Sequence, residues 1–189
     1  MGREFELKYA VSEDSFFAIA REFAPLSVIQ METTYFDTPD NALSRKKITL
    51  RRRLENGKSV CTLKTPGDSF GRGEWDAEGP WCEEMVADLF ARAEIPAIPI
   101  TELSEVCGAR FTRLAREISL PDCTLEIALD EGILLAGNKT LPLREVELEL
   151  KSGSDTALLA WAEEFAEKYQ LKIEPKSKFR RAMDLVKGD

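Results

Sequence analysis

The chain has 189 residues, 43% of them apolar and 32% charged, which suits one domain with its own core. Its net charge of −8 argues against general nucleic-acid binding, and no run of about 18 apolar residues offers a membrane span. It contains no histidine, which removes Ser-His-Asp and Cys-His catalysis, His-ligated zinc and any imidazole base.

Residues 3–9 alternate charged and apolar side chains and predict a strand that carries Glu4, Glu6 and Lys8 on one face. This start lacks the apolar stretch of a signal peptide, so a cytoplasmic protein is expected. Ser12 is placed to cap a helix with Phe16, Ile19, Ala20 and Phe23 on one side. Further period-two segments predict strands over 31–37, 47–54, 58–65 and 70–78. Between the second and third of these, Glu55-Asn56-Gly57 marks a tight hairpin, because Asn-Gly tolerates positive φ at both central positions.

Residues 82–93 repeat Met85, Val86, Leu89 and Phe90 at helical spacing, and strands are expected over 110–120, 123–130 and 139–151. A last pair of helices follows: 154–169, with Leu158, Trp161, Ala162, Phe165 and Tyr169 on one stripe, and a short terminal helix capped by Ser177. The four cysteines (Cys61, Cys82, Cys107, Cys123) are widely spaced and predict free thiols, not a disulfide framework or a zinc site. One α+β domain over residues 1–189, built on an antiparallel sheet, is the reading. About eight strands suit a closed barrel with helices packed on its outside.

The polar faces of these strands are almost entirely ionised. Glu126, Ala128 and Asp130 oppose Leu125, Ile127 and Leu129, and Glu145, Glu147 and Glu149 oppose Val146, Leu148 and Leu150. Bases gather in residues 45–64 and acids in residues 74–94. A solvated sheet face would also be polar, but it usually mixes in Ser, Thr and Gln. Segregated charge instead predicts opposed acidic and basic walls inside the barrel, stable once a divalent cation and a polyanion bridge them.

The segments Glu4-Phe5-Glu6-Leu7-Lys8, Tyr35-Phe36-Asp37-Thr38-Pro39-Asp40, Leu50-Arg51-Arg52-Arg53, Thr62-Leu63-Lys64 and Arg72-Gly73-Glu74-Trp75-Asp76 occur in order. They continue with Leu125-Glu126-Ile127-Ala128-Leu129-Asp130, Glu145-Val146-Glu147-Leu148-Glu149-Leu150 and Ser177-Lys178. Through this ordered set the chain resembles the CYTH superfamily of triphosphate tunnel metalloenzymes. Segments 124–132 and 142–153 look most similar to bacterial inorganic triphosphatases, some of which are fused to a CHAD domain that this chain is expected to lack.

The resemblance implies Mg²⁺- or Mn²⁺-dependent hydrolysis of a triphosphate, most simply inorganic tripolyphosphate to pyrophosphate and phosphate. Glu4 and Glu6, two residues apart on one strand, can direct both carboxylates at one ion, and the resemblance adds Asp130, Glu145 and Glu147 as metal ligands. Glu149 reads as a rim carboxylate, whereas Glu126 and Glu74 are divided between metal and an ion pair with a neighbouring base. Arg51 and Arg53 can hold phosphate oxygens bidentately. Lys8 and Lys64 match family phosphate binders, Arg113 is preferred to Arg110 for a further contact, and Lys178 or Arg181 would complete the cage. Glu4, Glu6 and Lys8 are the expected catalytic set.

The remaining bases, Arg45, Lys46, Lys47 and Arg52, read as surface charge, and Trp75 and Trp161 read as packing residues. The base that activates water is left open among a carboxylate, a metal-bound hydroxide and a lysine of lowered pKa. Other substrates share this fold and cage, so a class IV adenylate cyclase or thiamine triphosphatase is an alternative, as is a non-catalytic polyphosphate-binding module. The expected partner is a small polyanion, with no nucleic acid or membrane, acting on a monomer or homodimer.

Overall fold

The computed structural model describes residues 2–67 and 71–187, and the side chains of residues 2–4, 71, 72 and 187 lie outside the described set. In chain order the elements are β1 (Gly2–Ala10), α1 (Glu13–Glu22), β2 (Ser27–Asp37), α2 (Ala42–Arg45), β3 (Thr49–Glu55), β4 (Lys58–Lys64) and β5 (Gly71–Glu78). They continue with α3 (Glu83–Arg92), β6 (Ser104–Ser119), β7 (Cys123–Ala136), β8 (Lys139–Gly153), α4 (Asp155–Lys168), β9 (Lys172–Ile173) and α5 (Lys178–Lys187). The strands form one antiparallel sheet in the order β5-β4-β3-β2-β6-β7-β8-β1-β9, with an additional pairing between β1 and β5. Nine strands among the described residues stand against the expected eight or so. The ninth has two residues, too short for a period-two signal.

Local chemistry explains most boundaries. Ser12 caps α1 by accepting from the Ser15 N–H at 3.2 Å, and Ser177 caps α5 by accepting from the Arg180 N–H at 3.1 Å. Asn56 and Gly57 have φ of 49° and 85°, as the hairpin between β3 and β4 requires. Strand β6 begins at Ser104, ahead of the expected 110, because Gly108 and a bulge interrupt its alternation. The register shifts between Tyr35 and Phe36 of β2 at this point, and a Cβ on Gly108 would lie 2.7 Å from the Thr33 carbonyl oxygen.

The sheet separates two environments. On one face Leu125, Ile127 and Leu129 of β7 join Val146 and Leu148 of β8 and Phe5 and Tyr9 of β1, under α1 and α4. Leu50, Cys61 and Leu63 on the same face of β3 and β4 pack under α3 through Val86, Leu89 and Phe90. Trp75 packs in that cluster, Trp81 stacks on Phe36 at 3.9 Å, and Trp161 stacks on Phe165 at 4.9 Å. All four cysteines are free, as expected.

Helix α5 corrects the expectation that every helix packs outside. Its Phe179, Ala182 and Met183 pack on Met31, Tyr35, Ala109 and Phe111, which share their sheet face with Arg113 and the other charged residues. This apolar patch at one end of the charged face gives the amphipathic helix a seat there. No helix among the described residues is long and apolar enough to cross a membrane.

The apolar face carries the stability of the sheet. Leu129 is fully buried in its larger cluster. Leu129→Ala is expected to lower the unfolding free energy by about 2–5 kcal/mol, measured by urea denaturation with an unchanged denaturant slope.

Candidate active site

Alternation along β1, β3, β4 and β8 sends every second side chain to the charged face, where a cavity of about 450 Å³ lies. Glu6, Lys8, Arg51, Arg53, Lys64, Arg113, Glu147 and Lys178 all line it. Asp130, Glu145 and Arg181 are not among its lining residues. They are bonded to it through Arg113, Lys178 and Glu147. Glu4 lies in β1 opposite Arg72, but both side chains are outside the described residues.

The deepest feature is a group of three carboxylates. Asp130, Glu145 and Glu147 each offer one oxygen within 4.8 Å of the others. Asp130 and Glu145 are fully buried and Glu147 is 9% exposed. Register explains the grouping: Asp130 of β7 faces Glu145 of β8 directly, and Glu147 follows two residues on. Hard, buried carboxylate oxygens are the donors that Mg²⁺ and Mn²⁺ prefer, so this set fits such an ion.

Cations thread the same group. Arg113 donates from Nε and Nη2 to the two Asp130 oxygens at 2.7 Å each, and Nη2 also reaches Glu147. Lys178 Nζ meets Asp130 at 2.6 Å and Glu147 at 2.8 Å, and it also bonds Glu145. Arg181 bonds the other Glu145 oxygen. Opposed walls therefore describe only part of the site. Arg51, Arg53 and Lys64 form a basic side on β3 and β4, but Arg113, Lys178 and Lys8 stand among the acids, where β6, α5 and β1 bring them.

The electrostatics follow from burial and proximity. Burial works against ionised Glu147, yet Lys178, Arg113 and Lys8 outweigh it and hold its pKa well below the usual carboxylate range. Burial dominates at Glu145 and pushes its carboxyl up to about 7. Lys178 would lose its proton more readily by burial alone, but Asp130, Glu147 and Glu145 raise its pKa above that of an ordinary lysine. Arg53 goes the other way. Burial, then repulsion from Arg51 and Arg113, brings it down to about 10.

The basic side holds an unmet donor. Arg51 Nε is buried without a hydrogen-bond partner among the described residues, although its Nη2 lies 3.6 Å from Glu74. Glu74 also meets Lys64 at 3.0 Å, and Glu126 meets Lys151 at 3.6 Å, so both of these divided carboxylates stand in ion pairs. Glu149 lines the cavity a third exposed, 3.0 Å from Lys151. Arg110 is turned outward, 3.7 Å from Glu32, and Arg45 pairs with Asp40 on the surface, where Lys46 and Lys47 are also exposed. Arg52 pairs across to Thr34 and Cys61 and faces away from Arg51 and Arg53.

Sequence reasoning missed Lys151, Tyr35 and the Thr62–Asp76 pair. Lys151 continues the 145-147-149 alternation by one step, so its signal was present. Tyr35 lines the cavity but packs on Phe179 at 5.1 Å, a contact that depends on where α5 folds back. Thr62 donates to Asp76 at 2.6 Å across β4 and β5.

The CYTH domain model matches residues 2–183, and the chain belongs to the CYTH domain family. It is 29% identical over 175 residues to the inorganic triphosphatase of Haemophilus influenzae, a match covering 86% of this chain and 49% of that protein. The chain thus spans about half the length of that relative. Among solved structures, a candidate adenylyl cyclase of Hippeastrum with a dominant triphosphatase activity is 18% identical. It has a TM-score of 0.67, over 97% of this chain and 96% of that one. A candidate adenylate cyclase of Bacillus halodurans is 20% identical with a TM-score of 0.64, over 94% and 96% of the two chains. These structural likenesses concern the fold.

The balance of buried charge is open to test. Asp130→Asn leaves Arg113 and Lys178 short of a buried counter-charge and is expected to cost about 3–5 kcal/mol in urea denaturation. Asp40→Asn, which removes an exposed charge beside Arg45 and keeps an acceptor for the Thr38 hydroxyl, should cost less than about 1 kcal/mol.

Proposed function

We propose that this CYTH-family chain hydrolyses a triphosphate in the charged cavity, most simply inorganic tripolyphosphate to pyrophosphate and phosphate. The observation that carries the reading is the under-compensated basic side. Arg53 is lowered by burial and then by its cationic neighbours Arg51 and Arg113, and Arg51 keeps a buried donor unmet among the described residues, beside carboxylates fit for a divalent cation. A short polyanion supplies the missing negative charge and acceptors, and the likeness to an inorganic triphosphatase agrees. We take the sheet to close as an eight-stranded barrel around this cavity, since β1 pairs with β8 and also with β5.

Arg51, Arg53 and Lys64 would hold phosphate oxygens on one side, with Lys8 and Arg113 opposite. Asp130, Glu145 and Glu147, with Glu4 and Glu6 from β1, would hold Mg²⁺ or Mn²⁺. When bound, such an ion withdraws charge from the phosphate oxygens and favours attack on phosphorus. The reaction breaks one phosphoanhydride P–O bond and joins the water oxygen to a terminal phosphorus. Pyrophosphate leaves, and the proton of the attacking water passes to a base in the cavity. Lys178 is not that base, because three carboxylates hold it protonated. Glu6 lines the cavity and is the carboxylate we assign to orient the water.

The inorganic substrate is preferred to a nucleotide or thiamine ester for one reason. The described lining residues include two aromatic rings, Tyr35 and Phe179, which pack on each other at 5.1 Å, Tyr35 being buried, so the lining is mostly charged and suits a polyanion better than a base or thiazolium ring.

Incubating the protein with tripolyphosphate, ATP or thiamine triphosphate under Mg²⁺ or Mn²⁺ tests this, with phosphate and cyclic AMP measured. Phosphate from tripolyphosphate is the expected main product, and cyclic AMP from ATP as the main product would overturn the assignment. Arg53→Ala is expected to lower kcat/KM about 10²- to 10³-fold, whereas Arg52→Ala should leave it within about twofold. Glu6→Gln is expected to abolish metal-dependent turnover, and unchanged hydrolysis would remove Glu6 from the site.

A further inference from the structure

Three buried carboxylates and three cations meet in the Asp130–Glu145–Glu147 group. Arg113, Lys178 and Arg181, each in direct contact with these carboxylates, supply at least as many positive charges as Asp130, Glu145 and Glu147 supply negative ones. We infer that Lys178 is the resting counter-ion of this centre, that it competes with a divalent cation for the carboxylates, and that it shifts to the phosphate when cation and polyanion load together. The inference rests on the metal and triphosphate reading of the site and concerns how this chain's own residues prepare for it.

The argument is one of charge in a low-dielectric place. A divalent ion added to this group would leave at least two excess positive charges in the interior. Arg51 and Arg53 stand close by, and Arg53 already feels repulsion from Arg51 and Arg113. Uncompensated buried charge is strongly unfavourable, so the protein alone should bind the ion poorly. A triphosphate reverses this, because it neutralises the basic side and the displaced ammonium at once. By reciprocity the ion and the anion then strengthen each other's binding by the same factor.

Of the three cations, Lys178 is the one built to move. Arg113 is held by a planar, rigid fork that makes a two-pronged contact to Asp130 at 2.7 Å on each prong and also bonds Glu147, so its bonds must break together. Arg181 bonds Glu145 and is not among the residues that line the cavity. Lys178 is a compact ammonium on an unbranched stem, bonded to all three carboxylates and itself lining the cavity. Its backbone is anchored independently, since Phe179 packs on Tyr35 at 5.1 Å and Ala182 is fully buried. The side chain can therefore leave the carboxylates while α5 stays in place.

The test reads metal binding directly. Mn²⁺ is titrated calorimetrically into the full chain without any anion, comparing the wild type with Lys178→Met and Lys178→Arg. Removing one buried positive charge is expected to tighten Mn²⁺ binding about tenfold or more in Lys178→Met, with Lys178→Arg staying near the wild type. In metal-free buffer the same Lys178→Met change should weaken tripolyphosphate binding. A second measurement uses the wild type alone, whose affinity for Mn²⁺ should rise severalfold when inorganic phosphate is present.

Equal or weaker Mn²⁺ binding by a folded Lys178→Met protein would overturn the inference and leave the triphosphatase reading standing. So would a wild-type affinity indifferent to phosphate. Failure of every protein to bind Mn²⁺, even with phosphate, would overturn both.

Discussion

The charge balance around Asp130, Glu145 and Glu147 is the constraint on which the rest of the site depends. Ionised carboxylates this deeply buried are tolerable only beside cations, and Arg113, Lys178 and Arg181 arrive from β6 and α5 to provide them. A sheet with one charged face and one apolar face would ordinarily turn the charge to water. Here the apolar face is covered by α1, α3 and α4, so the charged face becomes the interior of the site. Every charge in that interior then needs a partner from the chain or from a ligand.

That requirement explains why α5 sits where it does. Its apolar side fills one end of the charged face against Met31, Tyr35 and Phe111, while its first turn delivers Lys178 to the carboxylates and, one turn later, Arg181. The Phe111 ring lies 5.0 Å from the Lys178 ammonium and 5.9 Å from the Arg113 guanidinium, so the apolar end and the charged cluster meet at one residue. The start of the helix thus lines the cavity and supplies two of the cations that stand against its carboxylates. On the basic side the contacts are longer: Arg53 lies 3.7 Å from Glu55, and Arg51 lies 3.6 Å from Glu74.

Much of this was legible in the residues. The period-two pattern located the long strands and sorted Glu6, Lys8, Arg51, Arg53, Lys64 and Glu147 onto one face, because side-chain direction in a strand follows from backbone geometry alone. Caps and turns were equally local: Ser12 and Ser177 act through contacts within a few residues, and Asn56-Gly57 through its own positive φ angles. The signal failed where a glycine or bulge broke the period, as at the start of β6, and where an element was too short to show one, as at β9.

What the sequence by itself determined was the composition of each face and the kind of chemistry that face could support: hard carboxylate ligands, phosphate-binding cations, and no imidazole. The tertiary structure alone decided who stands beside whom. Arg113, Lys178 and Arg181 read as phosphate ligands in the sequence, and the structure adds that they lie against the carboxylates, while α5 packs on the charged face and not outside it. Local pattern reports only which way a side chain points. Its partner depends on register between distant strands and on where a terminal helix folds back, and these are set by burial and charge compensation across the whole molecule.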